Sequence, residues 1–286
     1  MSIRFSKVGF RYARGLPWEK IALKNINLEI REGETLGIIG PTGSGKTTLL
    51  QLMNGIQHPS EGQVLIDEED PARLRGRELT RLRQKVGLVF QFPEDQLFAN
   101  SVYEDIAFGP RNLGFNGPEV ENRVKWAMNI LDLDFSKYSQ RQPQTLSGGQ
   151  KRRVAIAGVL ALKPKYLILD EPAAGLDPEG RRALLALIHK LREELGIGVV
   201  MVSHRVQDII ETCDRIAVLV AGEIVRSGSP REILQAGEEL SELGFRLPPM
   251  NKVLHELKKF FPHLDTGQIG EAAIAREIDR ALRNLS

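Results

Sequence analysis

Cys213 is the sole cysteine among 286 residues. That excludes an intrachain disulfide and a cysteine-ligated metal cluster, and it fits a reducing cytosol. Long apolar runs are missing as well. None approaches the roughly 20 residues needed to span a bilayer. The longest candidate, 154–162, contains Gly158 and is bounded by Arg153 and Lys163. Any role at a membrane therefore needs a span from another chain. Net charge is only +2, so bulk electrostatics argue weakly for nucleic acid or anionic lipid as a partner. There is no internal repeat and no low-complexity linker. The first residues, Met1-Ser2-Ile3-Arg4-Phe5, alternate polar and apolar and predict a strand rather than a signal peptide. What remains is 42% hydrophobic and 27% charged, ordinary for a globular protein. The length suits one large domain, or one domain with an appendage.

Hydrophobic periodicity divides the chain. Ile26, Leu28 and Ile30 alternate with polar residues and predict a half-exposed strand. Residues 35–39 predict a short apolar strand feeding a glycine loop, and 47–55 a helix. Residues 64–66 and 86–90 read as further strands. The stretch 93–164 reads as mostly helical, punctuated by Pro110, Pro118 and Pro143. Residues 166–169, 199–202 and 216–220 predict buried parallel strands, with a crossover helix at 181–195. A turn at Ala221-Gly222-Glu223 leads into a last strand at 224–226. Ser229, Pro230 and Glu232 predict a capped helix start. Ile274, Ile278, Ala281 and Leu285 lie on one helical stripe.

Three segments carry chemistry. Gly40-Pro41-Thr42-Gly43-Ser44-Gly45-Lys46-Thr47 matches the G-x-x-x-x-G-K-[S/T] phosphate loop, and Thr48 follows it on the helix. Glycines let backbone N–H groups turn towards phosphate oxygens, and the helix N-terminus adds a favourable dipole. Lys46 is expected to reach the β- and γ-phosphates, and Thr47 to place its hydroxyl on Mg²⁺. Second, the apolar strand 166–169 ends in Asp170 and Glu171, where ligands bind in α/β folds. Asp170 is expected to hold Mg²⁺ and Glu171 to act as general base; the alternative is that both acids cap the Pro172 turn. His204 ends another buried strand and could stabilise charge at the γ-phosphate. Third, Leu146-Ser147-Gly148-Gly149-Gln150 opens a helix and offers a second anion site from the Ser147 hydroxyl and glycine N–H groups. The two anion sites are expected on different lobes, so one chain cannot easily apply both to one phosphate. A head-to-tail dimer can. The run Arg73, Arg75, Arg77, Arg81 and Arg83 has Asp67, Glu68, Glu69, Asp70 and Glu78 beside it, so a solvated helix face is expected rather than a nucleic-acid site.

Together, the glycine loop and Leu-Ser-Gly-Gly-Gln resemble the ATP-binding-cassette (ABC) ATPases, with motifs in that family's order over 3–229. The resemblance implies an α/β fold: a P-loop NTPase with a RecA-like parallel sheet core, an antiparallel β subdomain and an α-helical subdomain. It implies a nucleotide-binding domain at 1–228, its helical part at about 93–164, and a C-terminal helical extension at 229–286. It also implies ATP and Mg²⁺ as cofactors. Gln91 is expected to touch Mg²⁺ and the attacking water, and Tyr12 to stack on adenine, with Trp18 a weaker candidate. The 174–177 loop, ending in Asp177, is expected to cross the dimer interface. Position 173 is Ala where relatives usually carry Thr or Ser, which bears on the hydrogen bonding behind Glu171. The stretches 91–98 and 146–158 are similar to the ATPase subunits of energy-coupling-factor (ECF) transporters. That likeness implies vitamin or metal-ion uptake in prokaryotes at the cytoplasmic face of the cell membrane. The partners it implies are a second ATPase (a copy or a paralogue), a transmembrane coupling protein and a substrate-binding membrane protein, with no nucleic acid. Alternatives are the ATPase of another ABC importer, a soluble non-transport ABC ATPase, or a soluble P-loop kinase or GTPase. The last lacks support, because no Asn-Lys-x-Asp guanine motif is present.

Overall fold

The structure is a computed structural model that describes residues 2–283. Met1 and Leu285, which entered the expectations above, lie outside the described residues. Two sheets form the framework. Strands β1 (Ser2–Tyr12) and β2 (Lys20–Arg31) pair antiparallel, and a later strand, β4 (Glu61–Ile66), joins the other side of β1. Between them in sequence come β3 (Thr35–Ile39) and helix α1 (Lys46–Met53). β3 belongs to the second sheet, with order β5-β6-β7-β3-β8-β9. Its members are β5 (Val86–Val89), β6 (Tyr166–Asp170), β7 (Gly198–Val202), β8 (Arg215–Val220) and β9 (Glu223–Gly228). Pairing is parallel throughout except for the β8/β9 edge.

Side-chain alternation explains how two layers cover this sheet. Ile168 and Val200 face Ile3, Phe5 and Ile26 of the antiparallel sheet and Leu49 and Leu52 of α1. Their neighbours Leu167, Leu169, Val199 and Met201 face the opposite way, onto helices. Buried on both faces, these strands read as nearly continuous apolar runs, as parallel strands do. Helix α2 (Gly76–Lys85) precedes β5 and buries Leu82 alone, leaving its arginines at the surface. There Arg73 pairs with Asp70 at 3.3 Å, and Arg83 donates to the Gly55 carbonyl at 2.8 Å.

Between β5 and β6 lie α3 (Val102–Asn112), α4 (Gly117–Ile130), the short α5 (Phe135–Tyr138) and α6 (Gly148–Leu160). Pro118 sits in the first turn of α4 and Pro143 opens a single 3-10 turn. Pro110 does not interrupt a helix: it lies inside α3, in its last turn. A proline there removes one N–H donor, but only two helical residues follow it, so little helix is left for it to redirect. The crossover helix is α7 (Pro178–Leu195), and α8 (Val206–Thr212) follows β7.

Among the described residues, four helices follow β9: α9 (Pro230–Gln235), α10 (Gly237–Glu242), α11 (Pro249–Lys258) and α12 (Glu271–Arg283). Ser229 caps α9 with Glu232 in the expected reciprocal box. Ile274 of α12 packs with Leu254 and Leu264 in a small core of its own, with Ile278 and Ala281 alongside. No helix among the described residues is long and apolar enough to cross a membrane.

Candidate nucleotide site

The glycine loop joins the carboxyl end of β3 to the start of α1, so the helix dipole and its free N–H groups face the loop. Two glycines are required by space. A Cβ on Gly40 would meet the Leu219 carbonyl oxygen at 1.9 Å. Gly45, with φ +107°, would bring a Cβ within 2.5 Å of the Ala22 carbonyl oxygen. At Gly43 nothing lies within 4 Å of that position, leaving backbone open to a ligand. Lys46 is buried, and its Nζ donates to the Gly40 and Pro41 carbonyls at 2.8 Å each. Burial lowers its pKa, while the charges of Glu171 and Asp170 oppose that.

A cavity of about 260 Å³ lies over this loop. Thr42, Gly43, Gly45, Lys46, Thr47 and Thr48 form its floor, and Gln91, Asp170, Glu171 and His204 close one side. Four strands intervene in sequence between the first and last of these groups, yet parallel pairing brings the carboxyl ends of β5, β6 and β7 to the same edge of the sheet as that of β3. The Thr47 hydroxyl donates to Asp170 Oδ2 at 3.5 Å. Burial raises the Asp170 pKa, offset partly by that bond and by Lys46. Glu171 adopts φ +50° and is 8% exposed. Its Oε1 has no hydrogen-bond partner, and His204 Nε2 stands 3.4 Å from it. Burial pushes the Glu171 pKa up, against the pull of His204 and Lys46. A raised, under-satisfied carboxylate in a cleft has the properties of a general base.

Tyr12 forms the cavity's rim. Its hydroxyl lies 2.9 Å from that of Thr48, and its ring meets Phe10 edge-on at 4.8 Å. Lys20 lines the rim too, directly opposite Tyr12 in the β1/β2 register. Nothing in the sequence motifs marked Lys20; the hairpin register was the signal. Trp18 is 69% exposed and does not line the cavity.

Ser147, Gly148 and Gly149 are exposed at the start of α6. The Ser147 hydroxyl accepts from the Gln150 backbone at 3.3 Å, and Gln150 Oε1 accepts from the Ser147 backbone at 3.0 Å. This capping box uses the hydroxyl as acceptor and leaves its proton free to donate. Ser147, Gly149 and Gln150 line a different cavity, of about 300 Å³, together with Leu176 and Gly180. It shares no residue with the cavity over the glycine loop. Asp177 lies at neither: its carboxylate caps α7 by accepting from Gly180 at 2.7 Å.

Sequence comparison meets this geometry directly. The family model described as ABC transporter matches residues 23–174. An energy-coupling factor transporter ATP-binding protein, EcfA2, of Clostridium perfringens is 46% identical over 258 residues, 90% of each chain. The EcfA2 of Acetivibrio thermocellus is 40% identical and covers 99% of both. The chain belongs to the ABC transporter family. Within that family it is of the energy-coupling-factor ATP-binding type. Among solved structures, cbiO1 of Clostridium perfringens, part of the ABC transporter complex cbiONQ, superposes with a TM-score of 0.75. It is 37% identical, and the match covers 88% of this chain and 98% of cbiO1. The ATP-binding cassette MJ0796, solved as a dimer in a post-hydrolysis state with ADP and Pi, gives a TM-score of 0.70 at 33% identity. That match spans 79% of this chain and 98% of the cassette.

Proposed function

We propose that the chain is the ATP-hydrolysing subunit that energises an ECF-type transporter of a vitamin or a metal ion. It works at the cytoplasmic face of the membrane, held there by a transmembrane coupling protein that also carries a substrate-binding membrane protein. The observation behind this reading is the separation of two anion-binding helix ends into cavities with no shared residue. One ATP can use both only when a second ATPase, a copy or a paralogue, closes over it head to tail. Residues 1–228 act as the nucleotide-binding unit, with 93–164 its helical part and 229–286 an extension.

In this reading ATP lies along the loop from Gly40 to Thr48, its adenine against Tyr12 and its phosphates at Lys46. The oxygens of Thr47 and Asp170, with Gln91, suit a hard cation. Bound there, Mg²⁺ would neutralise phosphate charge. Glu171 takes the proton of the attacking water, and His204 donates to the γ-phosphate. The partner's copy of Ser147, with the glycine N–H groups of 148 and 149 and the end of Gln150, meets the same phosphate. Asp177 holds the loop that runs along the joint.

Contact with the membrane protein is assigned to a groove of about 220 Å³. Pro93, Leu97, Phe98 and Phe108 line one side, and Val154, Ala155, Gly158 and Val159 of α6 the other. Phe98 and Phe108 are 64% and 50% exposed and meet edge-on at 5.0 Å. An apolar groove of this kind takes a helix. The test is a Leu97→Asp, Phe98→Asp double variant, assayed for copurification with detergent-solubilised membrane subunits. A folded ATPase that fails to copurify is expected. One that assembles and drives uptake normally would remove the groove from this reading.

A further inference from the structure

Helix α6 carries the Ser147 cap at its first turn and the wall of the apolar groove along its middle. Arg152 stands between the two and is 3% exposed. Its guanidinium reaches two separate turns. Nε and Nη2 donate to the two carboxylate oxygens of Glu94 at 2.9 and 2.5 Å. Nη1 donates to the Pro172 carbonyl at 3.0 Å and to the Ala174 carbonyl at 2.9 Å.

Each turn follows a residue of positive φ that is, or adjoins, a residue lining the nucleotide cavity. Glu94 lies two residues beyond Phe92, which has φ +53° and follows Gln91. Pro172 immediately follows Glu171, which has φ +50°. Non-glycine residues hold such angles only where their surroundings over-determine them. Arg152 fastens both turns to one another and to α6. Stability alone is a poor explanation of the arrangement, because a buried ion pair contributes little net once desolvation is counted. An ion pair would also need only Glu94, whereas half of the hydrogen bonds go to the turn behind Glu171. No hydroxyl at position 173 is available to brace that turn, since Ala173 occupies it.

We propose that Arg152 is a positioning residue that transmits occupancy of the groove to Glu171 and, through α6, to Ser147. This rests on the reading of Glu171 as the base and of the groove as the docking surface. A shift of α6 or of the 93–96 turn pulls on the guanidinium, which is planar and holds fixed angles between its bonds. The 172–174 turn then moves with it, and the carboxylate with the turn. No bond is made or broken at Arg152; it acts only through the geometry of its partners.

Lysine keeps the charge but cannot span a carboxylate and two carbonyls at once. Glutamine at 94 keeps the shape and removes the charge that fixes the bidentate pair. Arg152→Lys and Glu94→Gln are therefore made in the full chain. Each is assayed for binding of a fluorescent ATP analogue, for KM and kcat, and for stimulation of ATPase by the assembled membrane subunits. Both variants are expected to bind the analogue within about twofold of the parent and to lose kcat by about tenfold or more. Stimulation by the membrane subunits is expected to vanish. Adding Arg152→Lys to Glu171→Gln should cost nothing further, since residues acting as a unit are non-additive. Wild-type kcat and stimulation in Arg152→Lys, with Glu171→Gln inactive, would overturn the role of Arg152 and leave that of Glu171 standing. Normal turnover in Glu171→Gln would instead overturn the underlying reading. Equal loss of binding and turnover with a lowered melting temperature would mark Arg152 as purely structural. If Arg152→Lys does not fold, Glu94→Gln decides by the same split between binding and kcat.

Discussion

Glu171 gains its proposed role from being buried where a negative charge is poorly met. One carboxylate oxygen lacks a hydrogen bond, and burial raises the pKa above the ordinary glutamate range. A raised carboxyl pKa means that the base form appears only as pH climbs through the folded value. The acidic limb of kcat/KM, which reports the free enzyme, should therefore lie above the value of a free glutamate, and ionisation of Glu171 should cost stability rather than add it. A pH–rate profile at ATP concentrations well below KM checks this; a limb at or below the ordinary glutamate value would remove burial from the explanation. The residue types at this site were legible from sequence because phosphate and water chemistry demand them at fixed spacings. Lys20 and Arg152 were not. Lys20 reaches the site through strand register. Arg152 joins two loops through burial, and neither property has a linear motif.

At the scale of elements, α6 combines a helix cap, an exposed glycine pair and an apolar wall. Ser147→Arg should leave ATP binding to a single subunit close to normal, because Ser147 lines a cavity apart from the glycine loop. It should abolish hydrolysis by crowding the partner's γ-phosphate. Nucleotide titration and turnover, measured on the same preparation, test the split. Equal loss of both would leave misfolding of α6 as the simpler explanation. Strands 35–39 and 166–169 were legible because parallel strands buried on both faces show unbroken apolar runs. β1 was legible only at its start. Beyond Phe5 its register with β2 shifts at several points, and bulges of that kind break the period-2 pattern that marks a strand. Pro110 misled for a related reason: a proline in a last helical turn looks the same in sequence as one that ends a helix.

At the scale of the molecule, the proposed reading divides a nucleotide site into two halves. The glycine loop with its carboxylates is proposed to hold ATP and the Ser147 end of α6 to close over a partner's ATP, and the two line different cavities. Fold class followed from the alternation of strands and helices together with two motifs. The proposed partner relationship rests on the motifs alone, since Ser147, Gly148 and Gly149, proposed to meet a second chain, are exposed and leave no periodic trace. The most direct measurement is sedimentation of the Glu171→Gln variant with ATP and Mg²⁺, alongside its turnover. If Glu171 is the base, hydrolysis should fall roughly 10²–10⁴-fold, and the protein should sediment as a closed dimer with two ATP molecules retained. When ATP is withheld, that dimer should dissociate. A variant that stays monomeric with ATP bound, or that hydrolyses at the parent rate, would contradict the shared, two-chain site.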